Sequence, residues 1–228
     1  MGARPSWMRP GRWAPALVAI AAFCLVVSAC GSGYQYLSHR DSSGATAFFK
    51  VPSGWSLFDQ GQVLQSANGP LSRQQISQIA GSSWSTSFNA SSHATVSEAG
   101  DIGGPAPSGL TAVRQLSPSE RDGFSLASLR SIILGDDPVA PSSGAKKYQV
   151  LSYDEFTKPG GLRGSKMEVN VDLGGGTLAT LNQVAMVDSG TKYLYLIGLG
   201  CRVSCYSANH GVIQQVVQSW TVKENPGS

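Results

Sequence analysis

No apolar run in this 228-residue chain is long enough to cross a membrane comfortably as a helix: the longest block, 13–29, is interrupted by Pro15 and Ser28 and falls short of the roughly 20 residues a span requires. Cysteine is scarce, with four in all, so no disulfide framework replaces a hydrophobic core. No run of basic residues occurs, which removes the usual footprint for nucleic acid or for acidic lipid headgroups. Catalytic signatures are missing too. There is no Gly-x-Ser-x-Gly elbow, no HExxH, no P-loop and no dinucleotide fingerprint, and the glycine clusters at Gly31-Ser32-Gly33 and Gly174-Gly175-Gly176 read as tether and turn chemistry.

What is present begins with an export signal. Arg4, Arg9 and Arg12 precede the apolar block without an accompanying acid, and the block ends in the small residues Ser28 and Ala29, the layout of a cleaved secretory signal over 1–29. An uncleaved anchor and an ordinary secreted protein cut near Ala29 are the plainer alternatives. The quartet Val27-Ser28-Ala29-Cys30 resembles the lipobox of bacterial lipoproteins, which implies that the Cys30 thiol receives a diacylglycerol and becomes the first mature residue. Two acyl chains hold a protein stably on a bilayer where one is marginal. The expected location is therefore the extracytoplasmic face of the cell membrane, with the Gly- and Ser-rich segment 30–44 as a flexible tether and 45–228 as a single domain.

Losing the signal changes the charge and the thiol count. The chain has 17 Lys and Arg against 14 Asp and Glu, and the three signal arginines account for the whole excess. Cys24 leaves with the signal and Cys30 is lipidated, so Cys201 and Cys205 remain as a pair in an oxidising compartment, where a disulfide is the default. Use of Cys201, Cys205 and His210 as a metal or thiol-redox site is the alternative, although the spacing matches no strong zinc pattern.

The domain reads as α+β. A strand over 45–51 runs into Pro52-Ser53-Gly54, and Ser72 with Gln75 forms a capping box for a short helix that stops near Gly81. Strands are expected at 84–89 and 110–116, then a helix from Ser117-Pro118-Ser119-Glu120 carrying Leu126, Leu129, Ile132 and Ile133 to a stop at Gly135. The last third is clearest, since Lys166-Met167-Glu168-Val169-Asn170-Val171-Asp172-Leu173 alternates polar and apolar. Similar runs at 147–157, 178–188 and 192–200, separated by short Gly-rich links, predict an antiparallel meander. Ile213, Val216, Val217 and Trp220 follow helical spacing, and Thr221-Val222 is a candidate closing strand.

Lys50-Val51-Pro52-Ser53-Gly54-Trp55, the four-strand meander, and the closing helix ending Gln218-Ser219-Trp220-Thr221-Val222 together resemble the PsbP-like domain, a family that includes actinobacterial lipoproteins. The resemblance implies an antiparallel sheet flanked by helices, an α/β/α sandwich, and a role as a non-enzymatic partner or accessory module. The segment 82–108 departs from that compact pattern.

No catalytic set declares itself. His39 falls in the tether, His93 in a Ser-rich loop and His210 near a helix, and solvated histidine is the ordinary fate of each. The pairs Asp136-Asp137 and Asp154-Glu155 cannot flank one substrate atom. Trp55, Trp84 and Trp220 are expected in the core more than in a ligand groove. The expected function is thus an anchored binding module for an envelope protein or a small apolar ligand, without cofactor, resident metal or nucleic acid. An envelope hydrolase with a site outside the known motifs is the rival from another class.

Overall fold

The computed structural model describes residues 33–69, 71–140 and 147–224. The expected signal segment, Cys30 and the first residues of the expected tether lie outside them. Two antiparallel sheets make the frame. The smaller has the order β1 (Tyr34–Arg40), β2 (Thr46–Pro52), β10 (Thr221–Lys223). The larger has seven strands in the order β3 (Ser56–Asp59), β4 (Ser83–Asn89), β5 (Ser108–Gln115), β9 (Tyr193–Arg202), β8 (Leu178–Val187), β7 (Arg163–Asp172), β6 (Tyr148–Thr157). The α+β class and the meander β6 to β9 are as expected. The alternation in β7 buries Met167, Val169 and Val171 and leaves Lys166, Glu168 and Asn170 less covered, and three left-handed glycines, Gly174, Gly175 and Gly176 at φ 84, 60 and 79, turn the chain into β8.

Capping boxes start three helices. Asp59 and Gln62 open α1 (Gln60–Asn68), Ser72 and Gln75 open α2 (Arg73–Ala80), and Ser117 and Glu120 open α3 (Pro118–Asp122), each pair exchanging side-chain and backbone bonds across the first turn. The fourth, α4 (Val203–Gln218), starts without a side-chain cap, directly after β9. The sulfurs of Cys201, in β9, and Cys205, in the first turn of α4, lie at bonding distance, 2.09 Å, so the helix begins before the pair is complete rather than after it.

Two expectations are corrected. Seven of the fifteen residues read as a flexible tether, Tyr34–Arg40, form strand β1, paired with β2 over its whole length from Tyr34↔Pro52 to Arg40↔Thr46, and the compact unit begins at Tyr34 rather than at 45. Ser42, Ser43 and Gly44 lie in the hairpin turn 41–45, where Asp41 Oδ1 accepts from the Ser43 and Ala45 amides at 2.9 and 3.1 Å. The single long helix expected from Ser117 to Gly135 is also absent. Gly123 closes α3 after five residues, and Ser125 recaps a 3₁₀ turn at Leu126–Leu129. Leu129 still reaches the core, and its carbonyl accepts from Gln183 Nε2 at 2.7 Å. Helix α1 and strand β3 carry no strong period in the sequence.

Alternate residues of β9 feed two cores. Tyr193, Tyr195, Ile197 and Leu199 meet the inner face of the small sheet (Ala47, Phe49, Val51, Val222) and the apolar stripe of α4 (Ile213, Val216, Val217). Leu194 and Leu196 face the opposite way, onto Leu116 and Leu129, with Phe124, Leu126, Ile132 and Ile133 at the margin. The small sheet and α4 thus lie side by side on one face of the large sheet.

Candidate binding groove

Strand β1 is an edge: β2 pairs with one side of it, and among the described residues no strand pairs with the other. Antiparallel alternation sends Gln35, Leu37 and His39 toward the body and Tyr34, Tyr36, Ser38 and Arg40 outward. Leu37 packs on the main core, and the His39 ring stacks on Trp84 of β4 with centroids 4.7 Å apart and planes within 5°. Gln35 Nε2 donates to the carbonyls of Ser53 and Trp55 at 3.1 and 3.0 Å and so holds β1 to the turn after β2. Along this unpaired edge runs a groove. One end, of about 730 Å³, lies between Tyr36, Leu37 and Ser38 on β1 and Gln60, Ile76 and Trp84. The other, of about 290 Å³, continues past Ala80 and Trp84 to His39, Arg40, Asp41 and Arg114. Ala80 and Trp84 line both ends, and Tyr36, 71 % exposed, stands over the mouth.

The electrostatics of the groove are mild. Burial beside Trp84 draws the His39 pKa below 6.5, with Asp41 opposing weakly. Asp41 is engaged elsewhere, since Oδ1 serves the hairpin turn and Oδ2 accepts from the Tyr195 hydroxyl at 2.6 Å, an interaction that together with burial pushes the tyrosine pKa far up. His39 forms no hydrogen bond to a serine or a carboxylate among the described contacts, so the geometry of nucleophile, base and orienting acid is not assembled there.

The other residues singled out in sequence are dispersed. His93 sits in the loop after β4, its amide bonded to Ser91 Oγ at 3.3 Å. His210 lies on α4, edge-on to Tyr206 at 5.8 Å and 3.4 Å from Gln214 Nε2. With the two sulfurs joined, Cys201 and Cys205 offer no thiolate to an ion, and no group of three His, Cys, Asp or Glu among the described residues is placed to hold a metal. Asp136 approaches Lys147 at 3.4 Å and Asp137 pairs with Arg130. Glu155 accepts from Tyr153, at a surface edge strand. Trp220 is buried in the main core, against which Trp55 and Trp84 are partly buried. Trp84 therefore serves as core and as groove wall at once. The sequence pattern missed β1 as part of any site, although Tyr34-Gln35-Tyr36-Leu37-Ser38-His39 is β-prone and carries the needed alternation.

Fold and site together define a two-sheet α+β domain with a groove along an open strand edge. No family model matches the sequence, and no curated protein matches it either. Among solved structures it is similar to LpqN, described as involved in cell envelope biogenesis of Mycobacterium tuberculosis, at 14 % identity and a TM-score of 0.43 over 83 % of this chain and 91 % of that one. It is also similar to cyanobacterial PsbP from Synechocystis, at 12 % identity and a TM-score of 0.44 over 86 % of this chain and 96 % of that one. The Ran-binding protein Mog1p of Saccharomyces cerevisiae matches at 10 % identity and a TM-score of 0.42 over 82 % and 95 % of the respective chains. Likenesses of this size carry neither a partner nor an activity over to the present chain. Among the described residues no helix is long and apolar enough to cross a membrane.

Proposed function

We propose that the protein is a lipid-anchored, non-enzymatic binding module of the cell envelope, tethered through Cys30 at the extracytoplasmic face of the membrane, and that it takes an extended segment of a protein partner into the groove beside β1. The observation that carries the reading is the coincidence of a strand edge unpaired among the described residues with two adjoining concavities, both walled by Ala80 and Trp84, along the same residues, 36–41. An edge strand offers a row of backbone donors and acceptors, which an incoming strand satisfies while side-chain pockets select what it carries. Trp84, Leu37 and Ile76 supply apolar walls, and Tyr36 is an aromatic poised at the rim.

A benzophenone amino acid placed at Ile76 in intact cells should yield a discrete protein adduct, and the same probe at Ser119, on α3, should not. Ala80→Trp, which fills the groove where its two ends meet, should abolish that adduct without lowering the unfolding midpoint. No adduct at Ile76, or one equally strong at Ser119, overturns the assignment.

A further inference from the structure

The outer face of the small sheet gathers a charge pattern that the sequence disperses. The register places Tyr36 opposite Lys50, Ser38 opposite Phe48 and Arg40 opposite Thr46, and then Phe48 opposite Thr221 and Thr46 opposite Lys223. The outward residues are therefore Tyr34, Tyr36, Phe48, Arg40, Lys50 and Lys223 with small hydroxylic neighbours, and no carboxylate is among them. None of the ion pairs among the described residues involves Arg40, Lys50 or Lys223. Two of these cations ride on the face's own aromatics, Lys50 Nζ 4.4 Å from the Tyr34 ring centre and Lys223 Nζ 5.4 Å from that of Phe48. Nearby carboxylates are turned to other tasks: Asp41 holds the hairpin and Tyr195, Asp59 caps α1, and Glu224 accepts from the Ser189 amide at 3.4 Å. A concavity of about 490 Å³ opens between Tyr36, Phe48, Lys50, Ser219, Thr221 and Lys223.

Chain length selects what this face meets. Only three residues separate Cys30 from Tyr34, so a lipid on Cys30 sits within about 14 Å of the start of β1 at full extension. A tether that short keeps the domain against the bilayer, whereas one running to residue 44 would have let it stand away. We infer that the outer face of β1, β2 and β10 lies on the membrane surface and binds anionic lipid headgroups, with Arg40, Lys50 and Lys223 meeting phosphate and Tyr36 and Phe48 entering the interfacial layer, while the Tyr34 hydroxyl donates to Gln215 of α4 and stays with the protein. Aromatic rings with one polar end favour that layer, and each cation at an anionic surface strengthens association about fivefold. The inference rests on the lipid-anchor reading. It leaves the groove opening sideways at the level of the membrane.

The test uses the full chain processed in its host, purified, analysed by mass, and reconstituted into vesicles of phosphatidylcholine with or without phosphatidylglycerol. An environment-sensitive fluorophore on Ser38→Cys should shift to the blue on the anionic vesicles, and the same fluorophore on Ser119→Cys should not. Combining Arg40→Gln, Lys50→Gln and Lys223→Gln should cancel the Ser38 shift, as should high salt. A diacylglycerol on Cys30 with the Ser38 probe still in water overturns the docked face and leaves the anchor standing. A mass without lipid on Cys30 overturns the anchor and the docking with it. Lipid on Cys30 together with a lipid-dependent shift confined to Ser38 supports both.

Discussion

His39 shows how one residue changes meaning with its neighbours. In the chain it follows Tyr36-Leu37-Ser38 and looks solvated, yet in β1 its ring lies flat on Trp84. Stacking removes water from a group that is charged below its ordinary pKa of 6.5, and the neutral ring is favoured in the fold. The sign follows from linkage. A histidine whose pKa is lowered by folding takes up its proton in the unfolded chain first, so its contribution is fully present above 6.5 and is lost as the pH falls below that value toward the folded pKa. Between about pH 7.5 and about pH 5.5 the denaturant midpoint should fall in the parent and fall less in His39→Phe, which keeps a ring over Trp84 without a titrating group. Equal slopes for the two would mean that the stack does not perturb His39.

At the scale of elements, a covalent bond fixes the joint between β9 and α4. Cys201 is buried in the sheet and Cys205 in the first turn of the helix, and the bond between them secures the helix where no side chain caps it. So few residues are enclosed that the chain-entropy gain is small, about 2 kcal/mol. Cys201→Ser combined with Cys205→Ser should therefore lower unfolding stability by about that amount and leave the protein folded, as read by chemical denaturation. A loss above ~5 kcal/mol would instead mark the pair as indispensable to the sheet. The meander β6 to β9 was readable because alternation and Gly-rich turns are local signals. The helix expected from Ser117 is interrupted because Gly123 and Ser125 break the backbone, although Leu126, Leu129, Ile132 and Ile133 have helical spacing; the same side chains reach the core from short turns.

For the whole molecule, the decisive feature is that the first and last strands of the described residues belong to one sheet. β10 pairs with β2, and β2 with β1, so the strand that opens the described domain and the strand after α4 close one sheet. Phe49 joins that sheet to the body through Trp84, Phe88 and Trp220, with ring centres 6.5, 5.9 and 5.9 Å away. The anchor reading carries its own prediction at this scale. Cys30→Ala should move the protein from the membrane fraction to the soluble extracytoplasmic fraction, measured by fractionation and immunoblotting. Continued membrane association would refute lipidation as the main attachment.

The sequence by itself determined the features that depend on neighbours along the chain: the lipobox-like quartet at Cys30, the four-residue spacing of Cys201 and Cys205, the meander, and the apolar stripe of α4. Only the tertiary structure decided the rest. It converted the supposed tether into β1, laid the open edge of that strand beside Trp84 and Ile76 to make the groove, and brought Arg40, Lys50 and Lys223 onto one face. The physical reason is that a strand edge and a cluster of charges exist only once distant segments are paired, and the register between β1, β2 and β10 is set by burial of Leu37, Phe49 and Val222 rather than by any pattern within one of the strands.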